Sequence, residues 1–247
     1  MNKKGFLRFA LTATSGVLLG SVAWGLQSSS YAQVPSDAEL EGFLEQTPGT
    51  LDGLGNGDAT EGAAIRQTFV GTAGQTVTLD WNFLTNEAVP NTLYNDFSFI
   101  SILPLGGTST LADTNSRFPL LGNNTNFNRE TGFNTFSYVL PADGPYTVGL
   151  GVVDVGDRVV NSGLLVDNVS VGNNGSFETG DFSGWETIGN VRITDSNFGN
   201  GPTDGDFQAV LNVPEPSTIL GSGVLLGLGA VLKRKVRQQR GKEMANS

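Results

Sequence analysis

The sequence predicts an all-β domain, and three observations support this. Apolar and polar residues alternate with a period of two in several short segments, of which residues 74–84 (GQTVTLDWNFL) are the clearest example. These segments are bounded by Gly, Pro, Asn or Asp, and glycine accounts for 34 of the 247 residues. About eight to ten short strands separated by turns are typical of a β-sandwich, and we favour a jelly roll.

One short helix is expected before the strands. Ser36 and Glu39 have the spacing of a capping box, and Leu40 and Leu44 follow at helical spacing. Pro48-Gly49 then ends the helix, and the glycine-rich residues 51–62 are expected to form a loop.

The predicted strands follow along the body of the chain. Residues 74–84 alternate, which indicates one buried face, whereas residues 95–103 (NDFSFISIL) are apolar on both faces and indicate a central strand. The remaining predicted strands lie within residues 132–140, 144–155, 162–171, 190–195 and 205–212. We expect residues 33–212 to form one β-sandwich preceded by the short helix.

The composition excludes several kinds of chemistry. The chain has no cysteine and no histidine, so disulfides, thiol nucleophiles and Ser-His-Asp catalysis are excluded. A glycosidase needs two carboxylates across a cleft, but nothing in the sequence selects such a pair. We therefore expect a protein that is not an enzyme, and a secreted glycan-active enzyme using a carboxylate pair is the alternative.

Charge is segregated along the chain. Residues 33–217 contain 23 acidic and five basic residues, a net charge of −18, and the other basic residues lie near the two ends. An acidic body repels phosphate backbones, so nucleic acid is not an expected partner. The basic ends indicate membrane topology instead.

The N-terminal segment has the features of a secretory signal peptide. Lys3 and Lys4 precede an apolar stretch from Phe9 to Leu26, and the small-x-small site Ser30-Tyr31-Ala32 follows. We predict a signal peptide over residues 1–32, cleavage after Ala32 and export by the Sec machinery. An uncleaved N-terminal anchor is the alternative.

The C-terminal segment, residues 213–247, has three parts. Pro214-Glu215-Pro216 precedes a short apolar run, which we predict to form a transmembrane helix over residues 217–232. Lys233, Arg234, Lys235 and Arg237 follow and are expected to stay in the cytoplasm, which leaves the body outside. An ordinary tail anchor explains the helix and the charges, but it does not explain Pro-Glu-Pro.

This tripartite order closely resembles the PEP-CTERM sorting signal of Gram-negative bacteria. The resemblance implies recognition by an exosortase, at least transient anchoring in the inner membrane, and delivery to the cell surface or an extracellular polysaccharide matrix. Residues 55–69, 79–91, 95–102 and 151–157 also resemble a recurrent ectodomain of cyanobacterial PEP-CTERM proteins, a resemblance that implies no particular activity.

Two further phrases resemble carbohydrate-binding jelly rolls of the galactose-binding-domain-like kind. Asn174–Trp185 (NGSFETGDFSGW) resembles their first strand and loop, and Gly163–Val171 resembles their last strand. The order is reversed here, so one interpretation is a circular permutation joined through residues 172–175 (GNNG). A truncated second domain is the competing interpretation.

The same resemblance implies a structural calcium ion held by Glu178 and Asp167. Apart from this ion, no cofactor is expected. The alternative is a solvated glutamate and an aspartate in an Asx turn. The loop residues Asp52, Asn56, Asp58 and Glu61 also carry oxygen ligands, but they lack EF-hand spacing and a polar turn is favoured.

Glycan binding usually relies on exposed aromatic rings, for which Trp81 and Trp185 are candidates by residue type. Each fits a core position better, Trp81 by its alternation and Trp185 by its place after the Gly184 turn. We expect the following residues to share one core with Trp185: Val77, Leu79, Phe99, Val166 and Phe177. The sequence thus predicts a non-enzymatic surface or matrix protein, associated with polysaccharide or purely structural.

Overall fold

The computed structural model describes residues 34–121 and 125–213. The predicted signal segment with Ala32 lies outside the described residues, as does the predicted sorting tail from Pro214 onward. Within the described ranges, none of the helices combines the length and the apolar character needed to cross a bilayer.

Two antiparallel sheets face each other. The five-stranded sheet has the order β10-β1-β8-β3-β4; its strands are β1 (Ala59–Gly71), β3 (Phe97–Leu103), β4 (Gly107–Asp113), β8 (Gly144–Val155) and β10 (Glu186–Ile188). The seven-stranded sheet has the order β11-β12-β9-β2-β6-β5, with β7 also paired to β2; its strands are β2 (Thr76–Thr85), β5 (Leu120–Leu121), β6 (Arg129–Glu130), β7 (Asn134–Val139), β9 (Ser162–Asp167), β11 (Asn190–Thr194) and β12 (Gln208–Val213). The prediction of an all-β sandwich is confirmed.

The core between the sheets is built from alternate residues of each strand, since successive side chains of a strand point to opposite faces. Val77, Leu79 and Phe83 of β2 meet Leu150 of β8 and other apolar residues of the five-stranded sheet. The remaining large contributions come from Ile65, Leu164, Val166, Phe177, Trp185 and Leu211.

The outer face of the five-stranded sheet is covered by the N-terminal helix α1 (Asp37–Phe43) and the loop after it. The capping box is confirmed, because Ser36 and Glu39 exchange hydrogen bonds across the first turn. Leu40, Leu44 and Leu51 lie against the sheet there, in one buried cluster with the residues of β3 and β8.

Two glycines of the five-stranded sheet permit this close approach of the helix. A Cβ at Gly62 would lie 2.8 Å from Leu40 Cδ1, and a Cβ at Gly149 would lie 2.6 Å from Leu44 Cδ2. The helix explains why β3 is buried on both faces. It also shows that one prediction was wrong: Phe99 faces α1 and shares no cluster with Phe177, because its position in β3 points outward.

The C-terminal segment completes both sheets. β10 pairs with β1 at one edge, while β12 pairs with β9 and carries β11 outside it. The segment therefore belongs to the sandwich. No strand forms within Asn174–Trp185, where we expected one, because Asn174 and Phe177 have φ angles of 51° and 58° that are incompatible with extended backbone.

The strands also differ from expectation in their bounds and in their number; β9, for example, ends at Asp167, whereas residues 162–171 were predicted. β12 continues to the fully buried Val213, one residue beyond the predicted end of the body. β1 was not among the predicted strands, because its central residues, Ala63 to Ile65, are buried on both faces and show no alternation.

Candidate functional site

Asp167, one of the two predicted calcium ligands, lies at the end of β9 and is fully buried. Its Oδ2 accepts hydrogen bonds from the backbone N–H groups of Thr203 (2.7 Å) and Asp204 (2.9 Å) and from the Thr203 hydroxyl (3.1 Å). Its Oδ1 accepts from the N–H of Asn168 (2.7 Å). Burial raises the pKa of Asp167, and these hydrogen bonds oppose the rise.

Glu178, the other predicted ligand, is exposed. It contacts residues 206 and 207, which come soon after the residues bound by Asp167 in the chain. Its carboxylate accepts hydrogen bonds from the N–H of Asp206 (3.0 and 3.1 Å) and of Phe207 (3.0 Å). Gly205, which precedes Asp206, has a φ of 71°, and a Cβ there would overlap the Glu178 carboxylate. Only glycine allows the loop to close this tightly around the carboxylate.

The structure therefore brings Asp167 and Glu178 to one loop, residues 203–207, and gives both carboxylates backbone N–H donors. Ser176 adds a side-chain link, because its hydroxyl lies 2.7 Å from Asp204 Oδ2. Across residues 34–121 and 125–213, no group of three or more His, Cys, Asp or Glu side chains is arranged to hold a metal ion. Calcium at this loop stays a prediction.

The other candidate calcium loop directs its side chains to separate partners. Asp52 Oδ1 accepts from the N–H of Ala59 (2.8 Å), and Asn56 donates to Asp113 Oδ2 (2.9 Å). Asp58 contributes its backbone carbonyl, which accepts from the N–H of Gly156 (2.9 Å). These contacts are those of a polar turn.

The aromatic candidates for sugar stacking are core residues. Trp185 is 7% exposed, its ring centroid lies 5.6 Å from that of Phe177, and its indole N–H donates to the carbonyl of Asn174 (3.2 Å). Trp81 is half-buried and packs against the same core. The expectation that both tryptophans serve the core is confirmed.

An open groove of about 520 Å³ is lined by residues of the outer face of the five-stranded sheet and by Glu45. Thr68 and Thr147 bring their hydroxyl oxygens to 3.0 Å of each other across β1 and β8, and Leu103, Pro104 and Pro145 supply apolar surface. Glu45 is held by Arg66 at 2.8 Å. Hydroxyl and carboxylate groups beside apolar surface match the mixed polarity of a sugar ring.

A second set of acidic residues combines Glu61 of the candidate calcium loop with three residues that were not predicted as site residues. Glu61, Glu87, Asp96 and Asp154, hereafter the end cluster, are each at most 6% exposed and lie at one end of the sandwich. Asp154 is on the inner face of β8, two residues after Val152, and it pairs in register with Glu61 of β1. An aspartate inside the apolar run GLGVVDV was the signal that could have indicated it.

Asp96 and Asp154 are the most deeply placed members of the end cluster. Asp96 Oδ1 accepts from the N–H of Val155 (3.0 Å), and its Oδ2 accepts from the hydroxyl of Ser162 (2.6 Å). Because Phe97 pairs with Val153 in the antiparallel register of β3 and β8, Asp96 lies opposite Asp154. Burial raises the pKa of Asp96 to about 7 and, together with the adjacent carboxylates, raises the pKa of Asp154 to about 10.

The end cluster has little compensating positive charge. Arg158 lies 3.3 Å from Glu61, but the arginine side chain is 57% exposed. Asp154 Oδ1 and Glu87 Oε1 are buried without a hydrogen-bond partner. Burial raises the pKa of Glu61 and of Glu87 as well.

Comparison of the chain with protein-family models, with curated proteins and with solved structures found no match. Sequence and geometry are therefore the basis for the function proposed below.

Proposed function

We propose that this is an exported protein, processed by an exosortase and delivered to the cell surface or the extracellular matrix, where it associates with polysaccharide without acting as an enzyme. The observation that carries the proposal is the order of segments at the C-terminus. Pro214-Glu215-Pro216 is followed by the apolar run and then by Lys233, Arg234, Lys235 and Arg237, on a chain whose N-terminal segment has the features of a signal peptide.

The way the chain enters and leaves the sandwich supports this proposal. Near the first described residues, the carbonyl of Pro35 accepts from the N–H of Gly62 (2.9 Å), next to Glu61. At the last described residue, Val213 pairs with Ser162, whose hydroxyl reaches the end cluster. Both connections therefore lie at one end of the body, and a membrane tether there would leave the opposite end free.

The arrangement of the C-terminal strands supports the finer assignment to a permuted jelly roll. The segment after residue 172 supplies strands to both sheets and a buried aromatic pair, Phe177 and Trp185, to the core. A circular permutation predicts this sharing, because joining adjacent first and last strands leaves their packing intact. We include the galactose-binding-domain-like topology in the proposal on this basis.

The groove beside Thr68 and Thr147 is the surface we propose for contact with polysaccharide. Its chemistry suits a neutral glycan, because the net charge of −18 over residues 33–217 disfavours an anionic one. Threonine hydroxyls and the Glu45 carboxylate would bond sugar hydroxyls, and the two prolines would contact the ring faces.

Processing in a host provides the test of sorting. Expressed with an exosortase, the surface form should lack roughly its last 30 residues, since cleavage is expected next to the Pro-Glu-Pro segment, and intact-mass analysis measures this. The matched control is the double variant Pro214→Ala, Glu215→Gln, which should keep the tail. Full recovery of Lys233–Ser247 on the surface form would contradict the proposal.

Glycan binding separates the proposed function from the enzymatic alternative. The full chain should bind neutral polysaccharide on an array without releasing sugar, and Thr147→Val together with Glu45→Gln should weaken binding, whereas Thr135→Val on β7 should not. Release of reducing sugar that increases with time would favour the enzyme with a carboxylate pair.

A further inference from the structure

The end cluster joins the two sheets. Asp96 stands just before β3 in the five-stranded sheet and accepts there from the N–H of Val155 on β8. Its other oxygen accepts from Ser162 on β9, in the seven-stranded sheet, at 2.6 Å. One buried carboxyl group thus links the sheets at the end where the described chain begins and ends.

The donor of each hydrogen bond leading to the Asp96 carboxyl group can be assigned, one bond after the next. The N–H of Glu87 donates to Thr85 Oγ1 (2.9 Å), and Thr85 Oγ1 lies 2.9 Å from Ser162 Oγ. Ser162 uses its only proton toward Asp96, so Thr85 must donate to Ser162. Asp96 is therefore an acceptor from both sheets, and this chain of hydrogen bonds supplies no proton to Asp154.

The Asp96–Asp154 pair needs a proton of its own. Asp96 and Asp154 are both buried and lie at opposite positions of neighbouring strands, where two carboxylates repel each other unless one is protonated. Asp154 Oδ1 has no donor that would stabilise a negative charge. Asp154 is thus the member expected to hold the proton and donate it to Asp96.

The charged groups that face this pair would not neutralise its negative charge if the proton were lost. Glu61 faces it from β1 and Glu87 from the segment after β2, and Asp157 after β8 adds a third negative charge. Asp113 of β4 is engaged by Asn56 and Asn95 instead. The nearest cation of the described chain, Arg158, is bound to Glu61 and is mostly exposed. Loss of the proton would leave two buried anions without a counter-ion.

The strand most affected is β12. Its last residue, Val213, pairs with Ser162, the same residue that accepts from Thr85 and donates to Asp96. Displacement of Ser162 would therefore disturb the last hydrogen bonds of β12, immediately before Pro214.

We propose that the Asp96–Asp154 pair is a proton-dependent clamp: while it holds a shared proton it keeps the two sheets together at this end, and when the proton is lost the end of β12 is released. Only the consequence for sorting, which is easier access to the Pro-Glu-Pro segment, rests on the proposed function. The clamp can be tested without an exosortase, so the two proposals can fail separately.

Hydrogen exchange on the full chain in non-ionic detergent tests the clamp. Between pH 5 and 8, protection factors of the β12 amides, corrected for intrinsic exchange, should fall by up to about tenfold per pH unit for each proton that the pair retains. In Asp154→Asn, which keeps a donor toward Asp96 but cannot ionise, this dependence should become shallower, because Asp96 alone of the pair can then retain a proton. Asp143→Asn, at the opposite end of β8, is the matched control and should behave as wild type.

Infrared spectroscopy gives a second measurement that needs no folded variant. The wild-type chain should keep the carbonyl band of a protonated carboxyl group at neutral pH, and in Asp154→Asn, where it folds, that band should be weaker. Absence of the band in the wild type, or β12 protection that does not change with pH, would overturn the proposal. A pH dependence abolished by millimolar calcium would also overturn it, because a cation would then be the compensating charge.

Discussion

At the scale of single residues, Phe177 shows how the sandwich uses an unfavourable backbone conformation. Its φ of 58° is uncommon for a bulky residue, yet its side chain is fully buried between Trp185 and Phe182. The turn at Asn174–Phe177 thus places an aromatic ring in the core at a point where no strand does so.

Phe177→Ala should destabilise the body by about 3–5 kcal/mol, the usual cost of truncating a buried aromatic residue. Leu105→Ala is the matched control, because Leu105 is 54% exposed and should change the free energy of unfolding little. Urea denaturation followed by tryptophan fluorescence measures both. Equal stability of the two variants would mean that the aromatic pair contributes nothing to the core.

Asp96 and Asp154 should make the global stability depend on pH. Their folded pKa values lie above the ordinary value of 3.8, so the stability of the protonated form is fully present below that value. It is lost as the pH rises toward about 7 for Asp96 and about 10 for Asp154. The free energy of unfolding should fall by at most about 1.4 kcal/mol per pH unit for each group.

Urea titrations at pH 5, 6 and 7 measure this fall. The difference between wild type and Asp154→Asn isolates the contribution of the pair, because the other titratable groups are common to both. A difference that stays constant across this range would show that the pair ionises normally.

Calcium can be tested at the residues that hold loop 203–207. If an ion joins Glu178 and Asp167, millimolar calcium should raise the melting temperature, by a stabilisation of about 2.7 kcal/mol at one hundred times the dissociation constant. Glu178→Ala should abolish the rise, and Glu186→Ala should not. Identical melting curves in calcium and in chelator would mean that backbone N–H groups alone satisfy the two carboxylates.

At the scale of elements, one side chain ties β1 to the connection between β9 and β10. The amide of Gln67, which is 4% exposed, donates to the carbonyl of Asn173 (2.8 Å) and accepts from its N–H. The side chain thereby acts as a strand partner for residues 172–175, where no strand exists.

Gln67→Leu should cost about 1–3 kcal/mol, because it leaves both backbone groups of Asn173 without partners. Gln67→Glu keeps the acceptor, loses the donor and adds a negative charge, so its cost should rise as the pH increases. Thr68→Val on the exposed face of the same strand is the control. Chemical denaturation at pH 5 and 8 distinguishes the three.

The helices and strands differ in how well their positions could be predicted from the sequence. α1 and the alternating strand β2 were predictable, because capping and periodicity are local. β1 and the outward side of Phe99 were not, because both depend on α1 covering a sheet that is distant in sequence. Asp167 and Glu178 could be singled out by the resemblance, but their contacts with loop 203–207 could not, because those N–H donors lie 28 to 37 residues further along the chain. The end cluster needs four separate segments of the chain to meet.

At the scale of the whole molecule, the sandwich depends on its C-terminal segment. Without residues 173–213, β9 would lose its partner β12, β1 would lose β10, and the core would lose Phe177, Trp185 and Leu211. An edge opened on both sheets exposes unpaired backbone groups as well as apolar surface.

Residues 33–172 expressed alone should therefore fail to fold, whereas residues 33–213 should fold. Near-ultraviolet circular dichroism and amide chemical-shift dispersion measure the difference. A folded shorter fragment with the melting temperature of the longer one would show that the C-terminal segment is an appendage and would exclude the permuted arrangement.

The covering of the five-stranded sheet by α1 has a consequence for maturation. Val34 packs against the core, the carbonyl of Pro35 accepts from Gly62, and Ser36 caps the helix that shields Phe97 and Phe99. Under the predicted cleavage after Ala32, Gln33 would be the one residue between the new terminus and these contacts. A signal peptidase that cut one helical turn too far, or an aminopeptidase that trimmed the new terminus, would remove the cap and expose aromatic surface. If the proposed cleavage takes place, its position would therefore determine whether this aromatic surface stays covered.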